Sequence, residues 1–392
     1  MSAQPGERPY PLMVFYVLFF MTVGISLPFM PGYFKTLGFN GSESGLLLSI
    51  SPGFALVMPP LWGQLADRSG RPGVVLFVTT AGGALGYALL ARATSFTDAL
   101  LALCVHATFA SSLTSLADTL ALHHVQQHGG SYARIRLWGS IGFVLASLPF
   151  GFLVTEIDRT TVLAPLVLLS LAALSVGLTL ARVPVKVHAG PKPTLANAVA
   201  LAKHPEIGFF LLATALHWIS CAPYHGSLAP HVRALGLPPS VVGLCASVGV
   251  LSEVAVMFTW SRWAPRWPVR RLLIACFVLS AARWAAMALT SNLVVLVATA
   301  ALHGFTFGAF YLSSVTWMVD RAPGSLRATG QSLFVAATFG IGGIIGYRGA
   351  GALYDVIGGH RLFAVAAGMA LLPALVLWLT PARPEPARPI AS

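Results

Sequence analysis

The sequence predicts an all-α membrane protein, with twelve transmembrane helices in two pseudo-symmetric halves of six. Three observations carry that prediction. Of the 392 residues, 56% are hydrophobic and only 9% charged, with a mean hydropathy of +0.77, whereas a soluble domain carries roughly 25% charged residues. The apolar residues fall into twelve runs, each near the ~20 residues that an α-helix needs to cross a bilayer. The longest polar stretch, Arg182 to Glu206, lies mid-chain with six runs on either side.

The runs occupy approximately 11–34, 43–66, 73–92, 97–122, 137–155 and 160–181, then 207–233, 239–261, 270–290, 293–318, 326–352 and 361–380. This sets an N-terminal bundle at 1–181, a cytoplasmic linker at 182–206, and a C-terminal bundle with a short tail at 207–392. With the N-terminus placed inside, seventeen of the 24 Lys and Arg residues fall on the inner side. Five fall outside: Lys35, Arg92, Arg159, Arg233 and Arg361. Basic excess marks the cytoplasmic face, so both termini are expected there, in a bacterial inner or plasma membrane. The first run is long enough to span and lacks a clear signal-peptide cleavage site.

A net charge of +12 raises the question of nucleic acid, but the basic residues stand singly between apolar runs, which makes them a topology signal and no nucleic-acid footprint. Cys104, Cys221, Cys245 and Cys276 lie inside apolar runs without paired spacing, so neither a disulfide framework nor a metal site is expected. No lysine follows a glycine, which removes the phosphate-binding loop of an ATP-driven pump. His-Glu-x-x-His and Gly-x-Ser-x-Gly are missing too, so no catalytic site and no cofactor are expected. His123, His124 and His128 keep a polytopic membrane enzyme formally open; a solvated loop explains them as well.

Charges within the runs are few, and each costs at least ~2.5–3.5 kcal/mol at the bilayer centre, so each needs a reason. Asp118 continues a polar stripe of Ser111, Thr114 and Ser115, and Arg136 opens the next, antiparallel run, within reach of a pair. Glu253 is a lone carboxyl in mid-run, with Arg283 as the nearest candidate counter-ion, which makes Glu253 the candidate proton carrier. His303 begins a face that continues through Thr306, Phe307, Phe310, Tyr311 and Ser314 to Trp317, suited to an amphipathic ligand. His217, Cys221, Tyr224 and His225 share a face of the seventh run, where either histidine is a substrate contact or a packing group. Arg348 is near enough to an outer end to snorkel. The six glycines between Gly340 and Gly351 suit close helix packing.

Between the second and third runs stands Gly63-Gln64-Leu65-Ala66-Asp67-Arg68-Ser69-Gly70-Arg71, a charged, glycine-bearing stretch expected as a loop at the water surface. Its form, Gly-x-x-x-Asp-Arg-x-Gly-Arg, resembles the signature loop of major facilitator transporters, with Pro72 replacing the usual last basic residue. That resemblance implies the major facilitator fold, with Gly63, Asp67, Arg68, Gly70 and Arg71 as a conformational gate. A narrower one rests on Tyr132–Ser140, Ser247–Glu253, the Ala282-Arg283-Trp284 step and Leu302–Phe307. These are similar to the phenylpropionate permease group and its galactoside and oligosaccharide proton symporter relatives. By residue match it assigns proton coupling to Glu253, Arg283 and His303. Substrate binding falls to Asp118, Arg136 and His303, with Phe307, Tyr311, His217 and Tyr224 as further candidates from their helix faces. Where the sugar symporters keep a coupling carboxylate this chain has Thr306, which leaves Glu253 as the better candidate. The expected function is proton-coupled uptake of a small organic solute, such as an aromatic carboxylate, by a monomer using alternating access. A sugar or nucleoside symporter and a drug/proton antiporter are the alternatives.

Overall fold

The computed structural model describes residues 9–182 and 195–380. Apart from short turns, the described residues are helical, because backbone polar groups in hydrocarbon must be satisfied within the segment. Ten stretches are single spans: α1 Tyr10–Thr36, α2 Gly41–Ser69, α3 Pro72–Leu90, α4 Phe96–His128, α5 Tyr132–Leu153, α6 Thr160–Leu178, α7 Pro205–Ala234, α8 Ser240–Arg266, α9 Val269–Leu289 and α10 Leu293–Arg321. An eleventh, Gly324–Leu379, holds 56 residues. A straight helix of that length would run to about 84 Å, far beyond a ~30 Å hydrocarbon core. It breaks at Gly358, whose φ of 74° only glycine adopts without cost. The break yields α11 (324–357) and α12 (359–379), so the fold has the twelve spans expected. Leucines such as Leu101 (61% exposed) and Leu289 (87%) face outward, as the bilayer requires of a surface whose solvent is hydrocarbon.

Local chemistry sets the helix ends. Ser95 and Asp98 form a reciprocal capping box at the start of α4, and Asn292 accepts from the amides of Val294 (2.8 Å) and Val295 (3.4 Å) at the start of α10. Pro72 and Pro205 occupy first helical positions, where the missing N–H costs nothing. The final carbonyls of α12 are capped from α9, where Arg270 Nη2 donates to Trp378 (2.9 Å) and Thr380 (2.8 Å). Glu206 at the head of α7 pairs with Arg321 at the tail of α10 at 2.6 Å, each charge at the helix end that favours it.

Several spans depart from ideal geometry, among them α12, which is interrupted between Met369 and Leu372. α2 is interrupted between Ala55 and Met58, and α4 between Ala110 and Leu113. α10 and α11 each contain a π-helical turn, at Gly304–Ala309 and Ala336–Ile341. Such turns widen the helix by one residue and re-aim side chains, and they recur at functional sites.

The chain forms two compact units. The first comprises 9–39, 50–182 and 238–243 of the described residues; the second comprises 40–49, 195–237 and 244–380. In the first, α1 packs closely on α5, and a Cβ at Gly142 would strike the Val17 backbone. In the second, Phe210, Phe277, Phe310, Trp317 and Phe334 form an apolar core, with Phe210 and Trp317 stacked at 4.0 Å. Two of the α11 glycines pack on α7, since a Cβ at Gly342 or Gly346 would press on Ala215 or Ala222, while nothing lies within 4 Å of Gly349.

The signature stretch is more helical than the expected loop. Gly63 to Ser69 complete α2, and only Gly70, at φ 61°, and Arg71 form the turn before α3. The Gly70 amide closes the helix on the Ala66 carbonyl at 3.1 Å. Asp67 and Arg68 are exposed, as is Arg348 on α11.

Candidate functional site

Each unit brings an acid and an arginine into a polar cluster among its helices. In the first unit, the buried phenol of Tyr16 on α1 donates to Asp118 Oδ1 on α4 at 2.5 Å, which satisfies a hydroxyl that burial would otherwise strand. Arg136 on α5 lays its guanidinium 4.2 Å from the Phe20 ring centroid and 5.5 Å from that of Tyr16. Gly139, one turn on, makes this possible: a Cβ there would sit 2.7 Å from Arg136 Nη1 and 2.8 Å from the Phe20 ring. The Asp118–Arg136 ion pair expected from the sequence is therefore not how these groups are held. Tyr16 touches both residues, taking the carboxylate with its hydroxyl and the guanidinium with its ring.

In the second unit, Arg283 on α9 is 1% exposed. Its Nη1 donates to Thr306 Oγ1 at 3.0 Å and faces His303 Nδ1 at 3.4 Å. With a permanent donor opposite Nδ1, that nitrogen accepts, which leaves the proton on Nε2. His303 Nε2 lies 3.9 Å from Glu253 Oε2 on α8. This corrects the direct Glu253–Arg283 pairing expected from the sequence: a histidine stands between acid and base, giving the order Glu253, His303, Arg283. Close approach of α8 and α10 builds it. The Gly304 amide donates to Ser252 Oγ at 2.9 Å, and a Cβ on Gly304 would come 2.5 Å from the Ser252 carbonyl oxygen.

Uncharged neighbours offset part of the cost of holding Arg283 there. An arginine at a helix centre costs about 2.5–3.5 kcal/mol on insertion scales. A hydrogen bond to a charged group returns about 1.5–3 kcal/mol. The guanidinium also lies 4.2 Å from the Tyr224 ring and 4.6 Å from that of Trp284, contacts worth about 0.5–2 kcal/mol each.

Beside this chain runs an aromatic surface. Phe307 stacks on His303 at 5.4 Å and 6°, and on Tyr311 at 6.1 Å and 14°. Phe339, carried by the π turn of α11, meets Phe307 at 6.2 Å and Trp218 at 4.7 Å. His225 lies 5.3 Å from Trp218 and 5.9 Å from His303. These rings are half-buried. Phe310 and Trp317, which helical spacing put on the same face, instead belong to the apolar core. His217 is fully buried between Phe277 and Phe310, and its Nε2 donates to the Thr306 carbonyl at 2.9 Å, pinning the π turn. Sequence reasoning missed Tyr16, Phe20, Trp218, Trp284 and Phe339. Only Trp284 carried a signal, as the neighbour of Arg283. Nothing in an aromatic-rich first span separates Tyr16 from Phe15 or Phe19.

Comparison with known proteins agrees with this architecture. The MFS_1 like family matches residues 10–365. The probable 3-phenylpropionic acid transporter of Escherichia coli (strain K12) is 29% identical over 381 residues, covering 92% of this chain and 95% of that one. The maltose permease of Geobacillus stearothermophilus is 28% identical over 345 residues, covering 87% and 86%. The crystal structure of the nucleoside transporter NupG superposes with a TM-score of 0.85 at 21% identity, over 94% of this chain and 98% of the other. With twelve apolar spans, the signature stretch at the end of α2 and a family match across nearly its whole length, this chain belongs to the MFS_1 like family of major facilitator transporters, as a multi-pass membrane transporter of small molecules.

Proposed function

We propose that the protein is a proton-coupled symporter that takes up a small aromatic carboxylate by alternating access. It would work as two six-helix halves, 1–181 and 207–392, joined by the linker 182–206, with both termini in the cytoplasm. The observation that carries the proposal is the Glu253–His303–Arg283 chain beside the stacked rings of Phe307 and Tyr311. A carboxyl within the span can take and release a proton, and the permanently charged arginine holds the orientation of the imidazole beside that carboxyl. The aromatic rings suit an aryl group in both area and geometry. The similarity to a probable 3-phenylpropionic acid transporter supports the substrate class.

The test uses the purified chain in proteoliposomes under an imposed pH gradient, with labelled 3-phenylpropionate and protein-free liposomes as control. Wild type accumulates the solute. Glu253→Gln, which imitates a permanently protonated acid, exchanges solute across the membrane but does not accumulate it. Accumulation by Glu253→Gln at the wild-type level overturns the proton assignment. Uptake of maltose or inosine in place of aromatic acids overturns the substrate assignment and favours the sugar or nucleoside reading, for which the hydroxyl-binding groups Tyr16, Asp118 and Arg136 are suited.

A further inference from the structure

We infer that Arg283 is the receptor for the substrate's carboxylate, and that it grips both oxygens through Nε and Nη2. The inference rests on the uptake of an aromatic acid proposed above and changes the part Arg283 plays in it, from partner of the proton-carrying acid to binder of the solute.

The argument begins with the donors. A guanidinium presents five N–H groups in a fixed plane. Nη1 is engaged by Thr306 and His303. Nε and Nη2 are buried and meet no acceptor in hydrogen-bond geometry among the described residues, and the Tyr224 side chain is a further polar neighbour of the guanidinium. These two nitrogens form one edge of the guanidinium, the edge whose parallel N–H bonds match the two oxygens of a carboxylate. An arginine buried to 1% exposure with neither nitrogen of that edge in hydrogen-bond geometry is a group suited to an acceptor brought by the solute.

The surroundings specify the acceptor. Glu253, the one acid of this cluster, lies beyond His303, which meets Arg283 at Nη1. Tyr224 and Trp284 lie within 4.2 and 4.6 Å of the guanidinium carbon as aromatic walls, which exclude water and strengthen any charge pairing inside them. Through Tyr224 and His303 the arginine joins the stacked rings, since Tyr224 lies 6.4 Å from His303 and Phe307 stacks on His303. An anionic head at Arg283 with an aryl body on those rings describes an arylalkanoate. A sugar lacks the charge, and an inorganic anion would fill the fork while leaving the rings unused.

The test measures dissociation constants of the full chain in detergent for 3-phenylpropionate, its uncharged amide 3-phenylpropanamide, and chloride. Wild type is expected to prefer the acid by about tenfold or more, the loss typical when a site built for charged hydrogen bonds meets a neutral ligand. Arg283→Gln binds the two alike. Arg283→Lys keeps the charge but not the fork, and recovers only part of the preference. Equal affinity of wild type for acid and amide overturns the inference without recourse to any variant, so a misfolded Arg283→Gln does not shield it. An unchanged preference in Arg283→Gln also overturns it, while leaving proton-coupled uptake of aromatic acids intact. Chloride binding that depends on Arg283, with no acid preference, assigns the fork to an inorganic anion and overturns it too. Conversely, normal accumulation by Glu253→Gln removes the proton assignment and leaves the fork standing, provided that variant still prefers the acid.

Discussion

The two units hold an acid and an arginine each, and they handle them differently. In the first, Asp118 is bound by a phenol and Arg136 lies on aromatic faces, so neither neighbour of the acid changes charge near neutral pH. In the second, Glu253 lies beside an imidazole, and the imidazole faces an arginine. The difference teaches where a proton would be carried. A carboxyl tied to a phenol is held by a short hydrogen bond and orders its neighbours; a carboxyl 3.9 Å from an imidazole is the one suited to taking and releasing a proton.

The sharpest way to break this comparison is to neutralise each acid in turn. Glu253→Gln is expected to lose uphill accumulation altogether while keeping exchange. Asp118→Asn should keep uphill accumulation at saturating solute and weaken apparent affinity by about tenfold, through the loosened Tyr16 and Arg136 and not through a contact of its own with the anionic solute. Concentration-dependent uptake with and without a pH gradient separates the two patterns; if they were reversed, the assignment of roles would be reversed with them. A smaller effect is expected for Tyr16→Phe. It removes only the hydroxyl and leaves the ring beside Arg136, so apparent affinity should fall roughly threefold, with accumulation retained. An affinity loss as large as that of Asp118→Asn would mean that the Tyr16 hydroxyl accounts for the whole effect of the aspartate.

The smallest effect on binding is expected for Asp67→Asn in the signature stretch. Its side chain is exposed, far in character from either buried cluster, so affinity and protein yield should match wild type. We propose a gating role for Asp67, in which its carboxylate meets a helix N-terminus in one conformation of the cycle. On that reading, transport by Asp67→Asn slows severalfold at unchanged affinity. A wild-type rate at equal expression would remove the gating role.

Much of this was legible in the sequence. Span lengths follow from hydropathy, which is a property of composition along a line, and the rare intramembrane charges stand out for the same reason. Asp118, Arg136, Glu253, Arg283 and His303 were all found that way. What hydropathy lacks is rotation. Tyr16 has the same apolar context as Phe15 and Phe19, and only its position on α1 brings its hydroxyl to Asp118. Helical spacing assigned His303, Phe307, Phe310, Tyr311 and Trp317 to one face. The π turn at Gly304–Ala309 adds a residue to the helix, and the face divides: His303, Phe307 and Tyr311 form the stacked surface, and Phe310 and Trp317 enter the core. The same turn brings Thr306 to Arg283, and the acid expected to pair with that arginine lies beside the histidine instead.

The most direct test of proton transfer in the second unit is to follow protons rather than solute. A pH-sensitive dye outside proteoliposomes reports whether downhill solute entry carries protons with it. Entry should alkalinise the external medium in wild type and, at saturating solute, in Asp118→Asn, and should leave it unchanged in Glu253→Gln at an equal rate of solute exchange. Alkalinisation by Glu253→Gln together with its loss in Asp118→Asn would contradict the account and move the proton to the first unit.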